Sequence, residues 1–241
     1  MPAASGVFSS GYVVTVLLCI LACPLTALSA IRVPSMPFMP PQISNATAEH
    51  INRNEQSAPL VFQQGNHVEA MRLWRTMAAQ GDREAQFSLA VLYHTGGDDV
   101  EQDMNEAIFW YRKAAEQSHR VAQYDMGVFY ATGTGVSRNL NMAVQWWRLA
   151  AAQGHMEAQF NLGVFYAEGS GVKQDLHEAV KWWNLAADQG YPPAQFNLGL
   201  MYMKGQGVEE NPDEAVRWWR LSAEQGFTQA INVLKVFNIE K

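Results

Sequence analysis

The stretch NLNMAVQWWRLAAAQGHMEA, Asn139 to Ala158, returns 36 positions later as DLHEAVKWWNLAADQGYPPA, Asp175 to Ala194, and again as NPDEAVRWWRLSAEQGFTQA, Asn211 to Ala230. DMNEAIFWYRKAAEQSHRVA precedes them from Asp103, and a weaker copy surrounds Glu69, Ala70, Trp74, Ala78, Gln80 and Gly81. Self-similarity at a fixed period of this length is the signature of a solenoid, in which each unit buries its apolar face only by stacking on the next.

Each unit reads as two helices. The first is written AQFSLAVLY from Ala85, AQYDMGVFY from Ala122, AQFNLGVFY from Ala158 and AQFNLGLMY from Ala194. Its Ala, Leu or Met, and Tyr recur four residues apart and share one helical face, which is predicted core. Ala90, Gly127, Gly163 and Gly199 follow the Leu or Met. Glycine there weakens a helix unless something must come close, so this is the expected contact point of the second helix. Turns follow at Gly133, Gly169 and Gly205 as Gly-x-Gly-Val, with a longer GGDDV at Gly96. Two glycines in so short a span predict backbone angles that other residues resist. A nucleotide-binding role for Gly-x-Gly fails, because the segment repeats at every joint and never reaches dinucleotide or P-loop spacing.

The second helix opens on Asp103, Asn139, Asp175 or Asn211 as N-cap, with Glu106, Glu178 and Glu214 three residues later as in a capping box. Pro212 takes the first helical position. All eight tryptophans fall in this helix, as Trp74, Trp110 and the pairs Trp146-Trp147, Trp182-Trp183 and Trp218-Trp219. Paired aromatics can form a carbohydrate platform, but a place held in every unit reads as core and inter-repeat contact.

The succession A-x-x-x-L-G-x-x-Y-x-x-G-x-G-V, an acidic or amide cap, then E-A-x-x-W-W-x-x-A-A-x-Q-G resembles the Sel-one-like repeat (SLR) family, relatives of the tetratricopeptide repeats. The resemblance covers about Leu60 to Ala230. It implies an all-α fold: a right-handed superhelical solenoid of antiparallel helix pairs whose first helices line a concave groove. It further implies a scaffold or adaptor, as in bacterial secretion, envelope signalling, polysaccharide export or host interaction. The first unit departs by passing through Gln64-Gly65-Asn66 without the long turn. The last helix, INVLKVFNIEK, departs with Lys235 and Asn238 where Gly and Tyr are expected; degraded end units suit a capped solenoid.

No Lys, Arg, Asp or Glu precedes Arg32, and Gly11 to Ile31 is nearly all apolar. Residues 1–31 are expected to be a targeting segment outside the fold. Three readings stand open: a cleaved secretory signal, supported by small residues near Ala27 to Ala30 and by Pro24; a retained anchor, supported by the length of the run; and lipidation at Cys23. If the run is an anchor, Arg32 and Arg53 argue for a cytoplasmic domain. Residues 32–57 read as a Pro-rich linker and 58–241 as the solenoid of about five repeats with a terminal capping helix. Both cysteines, Cys19 and Cys23, lie in the leader, which removes disulfides and thiolate metal sites from the folded part. A net charge of −6 gives no footprint for nucleic acid.

Identical positions hold a repeat scaffold, while groove positions that vary between units are free for recognition. Positions two, three, six, nine and ten after the first-helix Ala are expected to lie away from the core. They supply the candidate binding residues Tyr124, Asp125, Phe160, Asn161, Glu168, Phe196, Asn197 and Lys204. An aromatic beside an amide or acid down the groove suits an extended peptide, with Asn161 and Asn197 pairing its backbone. The other reading packs these aromatics on the preceding second helix. The six histidines show no metal-ligand spacing, His119 and His155 share one turn position, and no nucleophile elbow is present. The expectation is a non-enzymatic module without a cofactor that binds a protein partner, exported to the periplasm or beyond, with a membrane tether as the alternative. The alternatives in function are an envelope hydrolase or glycan-binding protein and a secreted host effector. Relatives linked to penicillin carry repeated cysteines that this chain lacks.

Overall fold

The computed structural model describes residues 57–97 and 99–237. The leader, nearly all of the linker and Asn238 lie outside the described residues. Eleven helices follow in order among those described: α1 Ser57–Gln63, α2 His67–Ala79, α3 Arg83–Thr95, α4 Met104–Glu116, α5 Arg120–Thr132, α6 Leu140–Ala152, α7 Met156–Glu168, α8 Leu176–Asp188, α9 Pro192–Lys204, α10 Pro212–Glu224 and α11 Thr228–Val236. They pack as consecutive pairs in a right-handed superhelical solenoid, each helix touching mainly its neighbours along the chain.

Caps define the helices. Asp103, Asn139, Asp175 and Asn211 each accept a hydrogen bond from a backbone N–H at the start of α4, α6, α8 and α10. The reciprocal half of the capping box does not form. The backbone N–H groups of those four residues instead donate to the carbonyls of Tyr93, Tyr130, Tyr166 and Tyr202, at 2.8–2.9 Å. With that donor satisfied, the glutamates turn elsewhere: Glu106 accepts from the Trp110 indole, and Glu178 and Glu214 pair with Lys181 and Arg217.

Gly133, Gly169 and Gly205 end the preceding helices in the left-handed conformation. The second glycine of the turn serves the next contact down the array: a β-carbon on Gly171 would stand 2.6 Å from the Leu140 backbone. The small residue inside the first helix is explained in the same way. A β-carbon on Gly127, Gly163 or Gly199 would collide with the indole of Trp147, Trp183 or Trp219. Each of these indoles donates from Nε1 across the gap, to the carbonyls of Tyr124, Phe160 and Phe196 at 3.2 Å. Close approach and hydrogen bond are therefore one contact, and only glycine admits it.

The first tryptophan of each pair works between units. Trp146 packs on the cluster holding Tyr111, Trp182 on that holding Trp147, and Trp218 on that holding Trp183. A second tie is polar. The terminal glutamines of the second helices, Gln117, Gln153, Gln189 and Gln225, donate to Gln86, Gln123, Gln159 and Gln195 of the first helices at 2.7–2.9 Å. Those four donate in turn to the carbonyls of Ala78, Ala115, Ala151 and Ala187. Each amide pair thus joins three helices and satisfies buried groups that would otherwise be costly.

Candidate binding groove

The candidate residues sit on α5, α7 and α9, each helix held by an N-terminal side chain belonging to a second set of contacts. His119 caps α5, its Nδ1 accepting from the Ala122 N–H at 3.1 Å, while Nε2 lies 3.2 Å from Glu84 Oε2. The equivalent residues before α7, α9 and α11 are His155, Tyr191 and Phe227, which make no capping hydrogen bond. All four meet the aromatic of the preceding first helix: His119 stacks on Phe87 with centroids 4.2 Å apart and His155 on Tyr124 at 4.4 Å, while Tyr191 meets Phe160 edge-on at 5.3 Å and Phe227 meets Phe196 at a tilt at 5.6 Å. His119 and His155 are therefore parts of an inter-repeat ring stack and not ordinary turn residues.

This stack corrects the expected exposure of several candidates. Phe160 is 2% exposed, Asn161 4% and Asn197 0%. Tyr124, Asp125, Glu168, Phe196 and Lys204 remain half-buried. The aromatics meet the residue that begins the next first helix, so they are not a free groove platform. Helical periodicity within one unit reveals the face turned to its partner helix but not the face covered by the following unit. Alternating aromatic and N-cap positions at the repeat period carried that signal in the sequence.

The amides and the acid form a row at one position in three successive units, Asp125, Asn161 and Asn197, with Ser88 in the unit before. Asn197 is buried with both amide atoms unpaired, and Asn161 with its Nδ2 unpaired. Asp125 has no hydrogen-bond or ion-pair partner among the described residues, and burial pushes its carboxyl up to about 7. Burial, and then the Asp125 charge, raise the Tyr111 and Tyr124 phenols well above the usual tyrosine value. Burial and Glu157 raise Tyr191 to about 12. Glu157 behaves oppositely, because the hydrogen bond from His155 holds its carboxyl below the usual range. Glu168 accepts from the Ser170 hydroxyl at 3.2 Å. Among the described residues no group of three or more His, Cys, Asp or Glu is placed to hold a metal ion, and no helix is long and apolar enough to cross a membrane.

Repeated helix pairs and an amide ladder define an α-helical repeat solenoid. The Sel1 repeat family model matches residues 58–82, 83–119, 120–155, 157–191 and 192–227, and the chain belongs to that family. Among solved structures it is similar to a Sel1 repeat protein from Oxalobacter formigenes, with 35% identity over 73% of this chain and 72% of that one and a TM-score of 0.69. It is also similar to a protective antigen of uropathogenic Escherichia coli strains displaying an SLR fold, with 39% identity, 68% of this chain covered and a TM-score of 0.65. The matched region spans 35% of that antigen's length. No curated protein matches the chain. Sel1 repeat proteins are generally protein-interaction scaffolds, and their fold is generally non-catalytic.

Proposed function

We propose that this chain is an exported interaction scaffold of the cell envelope or the secretory route, holding an extended segment of a protein partner along α5, α7 and α9. One observation carries the reading. The bonds that hold the array use the same atoms in unit after unit, whereas the inner-face residues change: Asp125, Asn161, Asn197 at one level and Thr132, Glu168, Lys204 at another. Variation along that face of a repeated frame suits recognition of an irregular partner. The half-buried Asp125, Glu168 and Lys204 side chains are the groups that a partner segment can reach on this face, Asn161 and Asn197 being covered. Export rests on the apolar leader before Arg32.

A photo-crosslinking side chain placed at Glu168 or Lys204 in the native host is expected to trap one partner, and the same side chain at Lys181 or Arg217 on the second helices is expected not to. Equal capture from both sets would remove the groove from this reading. Fractionation with N-terminal sequencing of the recovered chain tests the export part; an intact Met1 in the cytosolic fraction would overturn it.

A further inference from the structure

We propose that the inner face reads a basic side chain, Arg or Lys, of the bound segment at Asp125. This deepens the function proposed above and rests on it.

Asp125 stands out within its own row. The two following units place a neutral amide at the same position, and the unit before places Ser88. A carboxylate drawn into a protein without a counterion or donor is costly, and native chains pair such charges. Asp125 has neither among the described residues. Two cations on α4 and α5 are otherwise engaged: Arg112 donates to the Tyr130 hydroxyl and Arg120 to the Gln153 carbonyl. His94, 3.4 Å from the Tyr111 hydroxyl, is pushed towards its neutral form by burial.

The surroundings supply the rest of a cation site. Tyr124 adjoins Asp125 in the chain, and the Tyr111 and Tyr124 phenols both feel its charge. Aromatic faces favour a guanidinium or ammonium group. An anionic or purely apolar segment leaves the carboxylate unsatisfied. Arg satisfies the site more fully than Lys, since its planar fork offers several donors to one carboxylate.

The test uses the full chain, immobilised at pH 8, where Asp125 is ionised, and pools of random heptapeptides whose central residue is fixed as Arg, Lys, citrulline or Glu. Citrulline keeps the shape of Arg and removes its charge. Retention of the Arg pool about tenfold above the citrulline pool is expected, with Glu lowest. Asp125→Asn, the residue that the next two units already carry, is expected to bring Arg and citrulline within about twofold of each other while the citrulline pool is retained as before. Lys181→Gln, on the second helix α8, is expected to leave the preference in place. Peptides held without preference for charge, or a preference that survives Asp125→Asn, would overturn the assignment and leave the groove reading standing. No retention of any pool by the unaltered chain would overturn both.

Discussion

At the scale of single residues, Asp125 has a consequence that does not depend on any ligand. Its carboxyl titrates at 3.8 in its ordinary environment and at about 7 in the fold, with burial as the cause. Between those values the folded chain keeps a proton that the unfolded chain has released. This contribution to stability therefore falls as pH rises from about 4 to about 7, and is level above that. Asp125→Asn removes the ionisable group, so the variant is expected to be more stable by about 1–3 kcal/mol at pH 8, the lower part of that range reflecting the remaining solvent contact, and little changed near pH 4. Thermal denaturation at the two pH values checks this, and equal effects at both would refute it. Glu84 and Glu157 contribute in the opposite direction. Their hydrogen bonds with His119 and His155 lower their pKa, so their stabilisation is present above the ordinary carboxylate range and lost as pH falls.

At the scale of elements, the two tryptophans of each pair have different work despite their adjacency. The Trp183 indole donates to the Phe160 carbonyl and rests where Gly163 leaves room. The Trp182 Nε1 is buried without a partner. Trp183→Phe is expected to cost about 2–4 kcal/mol through lost packing and a lost hydrogen bond, while Trp182→Phe removes an unsatisfied donor and costs less than about 1 kcal/mol. Urea titrations of the two variants measure the difference; similar losses would place both indoles in the same role. The glycine and tryptophan partnership was legible from the sequence, because a helix-weakening residue kept at one place in successive units implies a close neighbour. Turn glycines and N-caps were legible for the same reason. Burial of Phe160, Asn161 and Asn197 was not, since single-helix periodicity contains only one covered face; Phe160 meets Tyr191 from the next unit. The paired glutamines were visible as repeated letters, but their partners lie 30 or 31 residues apart and are brought together only by stacking.

At the scale of the whole molecule, every tie runs to an adjacent helix or an adjacent unit, and cohesion is a sum of local terms. Among the described residues α1 and α11 have a helical neighbour on one side only: Leu60 in α1 and Val236 in α11 are 56% and 54% exposed. Hydrogen exchange is expected to be fastest in α1 and α11 and slowest from α5 to α9, following the number of flanking units. Uniform protection along the chain would show that the array opens as a single body. The variable inner face lies in the part expected to be best protected, which keeps the candidate residues in fixed relative positions.

The glutamine ladder also dictates how such a chain can change length. Its amides repeat in register with the helices, so a deletion of residues 120–155 would set Met156 after His119 and offer Gln159 to the carbonyl that Gln123 now uses, on Ala115. The rod would close again, one unit shorter, without Asp125. A deletion that is not a whole number of units would leave amides facing nothing. Changes of length are thereby quantised, and each whole-unit step rewrites the order of side chains along the first helices while leaving the frame intact.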